Sequence, residues 1–237
     1  MQAPYPPYTA TLPARLRSHG FTLIELLIAI SILAAMTVIS WRGIDGMVRS
    51  QQQAKAHSEA TMVVQAALAQ WSTDLNAIER VANTTPLDWN GSVLRITRRS
   101  SDITEQGVRV VAWSLRERQG QRYWARWQSI PVSTVPDWQT AWELAANSAN
   151  TADTNATQAQ DTLLMPVRGW QLLYYRGNSW ANPLSAGTVS QPADVNNPTT
   201  ITLPDGVRLS LDLPAPGALA GSLTIDWVNP LLGGNKS

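Results

Sequence analysis

The feature that most constrains this chain is an apolar run from Phe21 to Trp41, with the sequence FTLIELLIAISILAAMTVISW. As an α-helix that rises about 1.5 Å per residue, this run would be about 31 Å long, close to the roughly 30 Å hydrocarbon core of a bilayer. We therefore expect residues 21–41 to form one transmembrane helix. Arg15 and Arg17 precede the run, and no acidic residue does. Basic residues on that side favour a cytoplasmic N-terminus and export of the remaining chain.

The segment differs from an ordinary secretory signal in two respects. Its apolar stretch is longer than the usual signal core, and no small-residue cleavage site follows it. The boundary between polar and apolar sequence lies instead before the span, at Gly20 and Phe21. Cleavage at that point would remove residues 1–20 as a leader and leave the anchoring helix attached to the protein.

Glu25 is an ionisable residue inside the apolar run. A charge at the centre of a membrane helix costs roughly 2.5–3.5 kcal/mol or more, so such residues usually have a partner. One available partner is the α-amino group that cleavage would create on Phe21 of a neighbouring subunit, because opposite charges attract strongly in a medium of low dielectric constant. The alternative is a glutamate tolerated near the membrane interface, with its carboxylate reaching water.

The run Gly20-Phe21-Thr22-Leu23-Ile24-Glu25 resembles the type IV prepilin motif, and the match extends over GFTLIELLIAISILAAM. The resemblance implies cleavage after Gly20 and N-methylation of Phe21 by an inner-membrane prepilin peptidase. It also implies that Glu25 pairs with a neighbour's terminal amine and that the apolar helices assemble into the core of a filament. The leader is longer than the short ones common in the family, which leaves the start codon open.

Beyond the span, we expect residues 42–81 to continue the helix. Gly43 and Gly46 weaken it by about 1 kcal/mol each relative to alanine. An apolar stripe then recurs at helical spacing, and this spacing predicts a face that packs on a folded domain. The stripe consists of Val64, Leu68, Trp71, Leu75 and Ile78. The helix is predicted to end near Glu79–Val81, before a turn-rich segment.

Residues 82–237 are predicted to form a β-rich domain, because short alternating apolar segments recur through them. The alternation predicts strands at 93–97, 108–116, 121–128, 168–176, 207–213 and 222–228. The second and third of these form a hairpin, with Tyr123, Ala125 and Trp127 aligned on one face. The whole is an α+β fold in which a long helix packs on an antiparallel sheet. Residues 145–162 read as a polar loop and residues 181–204 as an irregular connection.

The composition argues against several functions. The 18 basic and 17 acidic residues give no basic footprint for nucleic acid. Cysteine is absent, and His19 and His57 are the two histidines, which almost excludes a Ser/His/Asp triad or a multi-histidine metal site. We expect neither a cofactor nor an enzyme, although a membrane-anchored periplasmic enzyme is the alternative from another class. It would need a catalytic constellation that the sequence does not offer.

A calcium site is a second alternative in the polar loop. Asp153, Asn155 and Asp161 supply the oxygen ligands that this ion prefers. Their spacing fits no EF-hand, and such residues are common in ordinary loops, so the sequence favours a loop without a metal.

The order of the later segments resembles the J-type minor pseudopilin of type II secretion. The segments are Asp74-Leu75, WSLRERQGQRYWARW, LLMPVRGWQLLYYRGNSW, LPDGVRLSLDLP and TIDWVNP. The resemblance is strong over 21–80 and looser over 107–130 and 162–230, and residues 131–161 look like an insertion. Within that insertion, Trp138 and Trp142 fit either a core or an interface.

This resemblance implies a minor pseudopilin at the tip of a periplasmic pseudopilus, which helps to initiate assembly and protein export across the outer membrane. The implied partners are the I-type and K-type minor pseudopilins, the major pseudopilin and the prepilin peptidase. The implied location is the bacterial inner membrane, with one transmembrane pass and a periplasmic C-terminal domain. The alternative is a minor pilin of a type IV pilus or a DNA-uptake system, which would share the same N-terminus.

Overall fold

The computed structural model describes residues 20–100, 105–149, 159–186, 203–217 and 219–230. A single long helix, α1, runs from Leu23 to Asn76. The chain divides into two compact units, Met1–Gln52 and Gln53–Ser237. The described residues of the first unit are almost entirely helical, and α1 is the one helix among all described residues that is long and apolar enough to cross a membrane.

The second unit contains two antiparallel sheets. The first sheet has the order β1-β2-β3-β4-β5 and the second the order β7-β6-β8-β9. The strands of the first sheet are β1 Leu87–Trp89, β2 Val93–Arg99, β3 Val108–Arg118, β4 Gln121–Ser129 and β5 Ala159–Pro166. The strands of the second are β6 Gly169–Arg176, β7 Ser179–Ala181, β8 Gly206–Leu213 and β9 Gly221–Val228. Two further helices are α2 Val135–Ala146 and α3 Pro183–Ala186.

The predicted α+β fold is confirmed, and each of the six predicted strands is present. The β3–β4 hairpin pairs as expected, with Arg118 opposite Gln121 at its end. The strands are divided between two sheets, however, where one sheet was expected. Both sheets contribute to one core together with the last turns of α1, so each sheet has an apolar face that the other helps to cover.

Tryptophan dominates this core. Trp71 of α1 is fully buried, and its ring centroid lies 5.3 Å from that of Trp113 on β3 and 5.6 Å from that of Trp124 on β4. Trp170 on β6 lies 6.5 Å from Trp71 and 5.0 Å from Trp89 on β1. Several of these pairs are edge-to-face, the arrangement that aromatic quadrupoles prefer. The helix and both sheets therefore meet at one cluster of indole rings.

A buried carboxylate fastens α1 to the first sheet. Asp74 is fully buried and accepts from Arg98 of β2 and from Arg126 of β4, whose Nε lies 2.7 Å from Oδ2. Trp113 of β3 donates its Nε1–H to the same oxygen at 2.9 Å. Gln70, one turn earlier on α1, donates to Oδ1 at 3.0 Å. Three adjacent strands are thus held by one side chain of the helix.

The helix ends earlier than the predicted Glu79–Val81. The backbone after Asn76 bonds to β2 instead of continuing the helix. The Glu79 N–H donates to the Thr97 carbonyl at 2.9 Å, and the Arg99 N–H donates to the Ala77 carbonyl at 2.9 Å. Ile78 forms an isolated antiparallel bridge with Arg98. A strand partner therefore takes the hydrogen bonds that a further helical turn would have used.

The alternation predicted for β4 left open which of its faces packs on the main core. Trp124, rather than the alternate set of Tyr123, Ala125 and Trp127, fills the main core. Trp127 lies in a second, smaller cluster with α2. Since both faces of the first sheet are covered, aromatic side chains of either parity find an apolar environment, and alternation alone could not choose between them. The pairing of β4 with β5 also shifts between Trp124 and Ala125.

The cover on the outer face is α2, which lies inside the stretch that looks like an insertion. Thr134 caps this helix by accepting from the Asp137 N–H, and Trp138 is buried, with its Nε1–H donating to Thr97 Oγ1 at 2.9 Å. Trp142 stacks on Trp138 at 4.9 Å. Trp138 and Trp142 were expected to lie either in a core or at an interface, and the structure supports core packing.

The predicted polar loop is shorter than 145–162. Residues 145 and 146 belong to α2, and β5 begins at Ala159, while residues 150–158 lie outside the described residues. The predicted irregular connection contains the one-turn helix α3, and its residues 187–202 likewise lie outside the described part of the chain.

Candidate functional site

The N-terminal turn of α1 is closed by Thr22 and Glu25. The backbone N–H and the hydroxyl of Thr22 donate to Glu25 Oε2 at 2.9 and 2.8 Å. The Glu25 N–H points back to Thr22 Oγ1 at 3.4 Å. This reciprocal arrangement is a capping box, in which a threonine at the N-cap and a glutamate three residues later satisfy each other's free backbone donors.

The capping box changes the description of Glu25. The sequence reasoning considered a neighbour's amine or water as partners for this carboxylate, and the structure provides an intramolecular one. The signal was present, because a threonine followed three residues later by glutamate before an apolar run is a known helix start. A carboxylate held by its own helix terminus is less costly to place near lipid than an unpartnered one.

Gly20 and Phe21 precede the helix and are open to solvent. Phe21 is 86% exposed, and a Cβ added to Gly20 would meet nothing within 4 Å. The bond between them is therefore accessible in the described part of the chain. Residues 1–19 of the predicted leader lie outside the described residues.

Between Phe21 and Trp41, large apolar side chains are exposed on all sides of the chain. Its large apolar side chains are between 52% and 86% exposed. A patch of this size is far larger than a water-soluble monomer normally exposes, so it needs a membrane or partner helices. The hydroxyls of Ser31 and Thr37 donate to the carbonyls of Leu27 and Leu33 at 2.8 Å each. These polar groups need no water, as a segment in lipid requires.

Other candidate sites offer little chemistry. Asp161 forms an ion pair with Arg116 at 2.5 Å, and Asp153 and Asn155 lie outside the described residues. Within the described ranges, no three acidic or histidine side chains are grouped as metal ligands. One surface cleft, of about 450 Å³, is lined in part by Glu79 and Arg99, which form an ion pair with each other.

The comparison with known families agrees with this placement of the site. Residues 15–41 match the family model of the prokaryotic N-terminal methylation motif. The match supports a type IV prepilin-like family. It covers the end of the predicted leader, the Gly20–Phe21 boundary, the capping box and the whole apolar span. No curated protein and no solved structure matches the chain.

The prepilin-like N-terminus and the β-rich unit are therefore supported by different observations. The first has a matching family motif, an exposed apolar helix and a capped glutamate. The second unit is characterised by its own core and by the carboxylate of Asp74. Proteins of the pilin-like kind are structural subunits, and a role of that kind needs no catalytic constellation.

Proposed function

We propose that this protein is a minor pseudopilin at the tip of a type II secretion pseudopilus. In this proposal α1 anchors the chain in the bacterial inner membrane, with the β-rich unit in the periplasm. The protein helps to initiate pseudopilus assembly and the export of proteins across the outer membrane. The observation that carries the proposal is the apolar, exposed start of α1 within a matching methylation motif.

Processing prepares the N-terminus for assembly. A prepilin peptidase cleaves after Gly20 and methylates the new amine of Phe21. The Glu25 carboxylate then exchanges its Thr22 donors for the positive amine of a neighbouring subunit. This exchange replaces two bonds from the neutral donors of Thr22 with an ion pair to a positively charged amine, and opposite charges attract strongly in a medium of low dielectric constant.

The proposal of a tip component rests on the order of the later segments. The stretches that resemble the J-type subunit lie on the end of α1, on β3 and β4, on the end of β5, and on β6 to β9. The proposed partners are the I-type and K-type minor pseudopilins above and the major pseudopilin below. The segment around α2 has no counterpart in that resemblance, so nothing is transferred to it.

The test uses the full chain in cells that express the secretion genes. Gly20→Leu should leave the leader uncleaved, which is visible as slower migration on a gel. Glu25→Gln should permit cleavage and membrane insertion but reduce cross-linking to the I-type and K-type subunits at least fivefold. Ser31→Ala is the matched control, because it removes another polar group from the same span and should change neither result. Normal processing of Gly20→Leu, or unchanged cross-linking of Glu25→Gln, would contradict the proposal.

The second candidate is a minor pilin of a type IV pilus or a DNA-uptake system. The same methylation motif supports this candidate equally, because the motif does not distinguish these assemblies. Cross-linking in cells that carry both sets of genes separates the two. Capture of pilus subunits instead of secretion pseudopilins would favour the second candidate.

A further inference from the structure

Arg42 differs from the other charged side chains that follow the apolar span. Arg49 pairs with Asp45 at 2.8 Å, and Lys55 pairs with Glu59 at 3.8 Å, each one helical turn apart. Arg42 has no ion pair or side-chain hydrogen bond with any of the described residues. The nearest acidic residue along the helix, Asp45, is already engaged by Arg49. A cationic group is thus left available at one fixed height on α1.

That height coincides with the end of the apolar surface. Trp41 is the last residue of the apolar run and is 73% exposed. From Glu25 to Arg42 the helix rises by about 26 Å. If the Glu25 end lies at one membrane interface, Arg42 reaches the opposite interface of a hydrocarbon core about 30 Å thick. Tryptophan is enriched at such interfaces, because its ring is apolar and its N–H is polar.

We propose that Trp41 and Arg42 form a lipid anchor, in which the Arg42 guanidinium binds the phosphate of a phospholipid in the leaflet farther from the leader. The planar guanidinium presents paired donors that match phosphate oxygens. Trp41 places its ring beside the same headgroups. The inference rests on the membrane insertion in the proposed function and adds a partner, a phospholipid headgroup, to that segment.

The anchor would set how far α1 protrudes from the membrane. Ile44, Met47 and Val48 follow Arg42 at helical spacing and are 60%, 75% and 43% exposed. Apolar residues at these positions favour deeper insertion of α1, since a shift of one helical turn along its axis would bury them in the hydrocarbon core. A cation bound at the headgroups opposes that slide. Arg42 therefore holds these three side chains above the hydrocarbon.

The absence of cysteine makes the depth measurable. Single cysteines at Ser40, Ile44 and Met47 are placed in the full chain, which is reconstituted in phosphatidylethanolamine–phosphatidylglycerol vesicles. Labelling by a membrane-impermeant maleimide should be slow at position 40 and fast at 44 and 47. Arg42→Gln should slow labelling at position 44 at least fivefold. Arg42→Lys should restore most of the rate, because lysine also binds phosphate as a point charge.

Arg49→Gln is the matched control, since it removes an equal charge that is already paired. It should leave all three labelling rates unchanged. Unchanged labelling in Arg42→Gln, or an equal change in Arg49→Gln, would overturn the anchor. Adding inorganic phosphate to the vesicles should change nothing, and a slowing there would indicate a free-anion site instead. If an alkaline wash removed the unsubstituted chain from the vesicles, the membrane insertion itself would be contradicted. If the chain stayed in the vesicles and Arg42→Gln left the labelling rates unchanged, the anchor alone would be contradicted.

Discussion

At Asp74 a single carboxylate meets the side chains of three strands. Two of its partners, Arg98 and Arg126, are cations with exposed fractions of 4% and 11%. Without the carboxylate, these two guanidinium groups would face each other in a buried place. Removing one partner of a buried ion pair lowers the free energy of unfolding much more than replacing the whole pair with apolar residues does. The reason is that the remaining charge stays desolvated.

We predict that Asp74→Ala lowers the free energy of unfolding by about 3–5 kcal/mol. Urea titration of the full chain in detergent, followed by far-UV circular dichroism, measures this. The control is Asp226→Ala, which breaks the more exposed pair with Arg208 on β8 and should cost less than about 1 kcal/mol. Equal losses in the two variants would show that burial of the Asp74 cluster contributes nothing special.

Tyr174 presents the opposite situation, a buried polar group without a partner. Its hydroxyl has no hydrogen-bond partner among the described residues. Burial, with a smaller contribution from the negative charge of Asp88, raises the pKa of the Tyr174 phenol far above its ordinary value. The folded protein therefore keeps this proton at a pH where the unfolded chain, with a pKa of about 10, has lost it.

The sign of the pH effect follows from that difference. Above about pH 10 the unfolded state binds fewer protons at this site than the folded state, so stability falls by up to about 1.4 kcal/mol per pH unit. Tyr174→Phe should remove this part of the loss of stability at alkaline pH. At pH 7 it should leave the free energy of unfolding nearly unchanged, because the hydroxyl makes no hydrogen bond. Urea titrations at pH 7 and pH 11 test this. Tyr175→Phe, whose hydroxyl bonds Asn178 on the surface, serves as the control. A large loss for Tyr174→Phe at pH 7 would reveal a hydrogen bond that the structure lacks.

Among the elements, helix α2 shows most clearly how stability depends on which face of a helix is packed. It covers the outer face of the first sheet, with Trp138, Ala141 and Ala145 buried. On the same helix, Leu144 is 53% exposed. We predict that Trp138→Ala costs about 3–5 kcal/mol, from lost burial and a residual cavity. Leu144→Ala should cost less than about 1 kcal/mol in the same urea titration, since about half of its surface stays in water in the folded protein. A similar loss in both variants would contradict the assignment of faces.

The elements also show what sequence patterns can reveal. Strands β6, β8 and β9 alternate cleanly because one of their faces packs on the core, and the prediction matched them. Helix α2 was missed, although its buried side chains follow helical spacing, because it lies within a stretch with no counterpart in the resemblance. The short strand β1 carries too few residues to show a period. The role of Asp74 was missed too, and its signal was an acidic residue inside the apolar stripe between Trp71 and Leu75.

The residues of the candidate site were easier to name from the sequence than the long-range contacts of the fold. Gly20, Phe21 and Glu25 came from a local motif, whose meaning does not depend on distant contacts, and they stay predictions for processing and assembly. The Thr22 capping box is equally local and was nonetheless overlooked. Contacts such as Arg98 with Asp74 join residues far apart in the chain, and no periodic pattern encodes such a pairing.

For the whole molecule, we predict that the β-rich unit folds without the membrane segment. Every residue of the main core lies at or beyond Val64, so removing residues 1–52 removes none of them. A fragment of residues 53–237 should be soluble and monomeric, with a free energy of unfolding within about 1 kcal/mol of the full chain. That margin matches what exposed residues usually contribute.

A second fragment, of residues 77–237, provides the comparison. It lacks Trp71, Asp74 and Leu75, which are buried in the same core. We expect it to aggregate or to lose cooperative unfolding, as seen by gel filtration and urea titration. If the longer fragment failed to fold, or the shorter one folded equally well, the division of the chain at Gln52 would be wrong.

The indole cluster has an optical consequence. Trp113 and Trp124 have ring centroids 4.4 Å apart, and Trp71 and Trp170 lie within 6.5 Å of Trp124. At such separations the electronic transitions of neighbouring chromophores couple, and the coupled bands carry opposite signs that depend on the angles between rings. The helix, the first sheet and the second sheet each contribute a ring to this exciton system. A change in the packing of these three elements should therefore alter the splitting of the coupled bands, and circular dichroism would detect it without an added label.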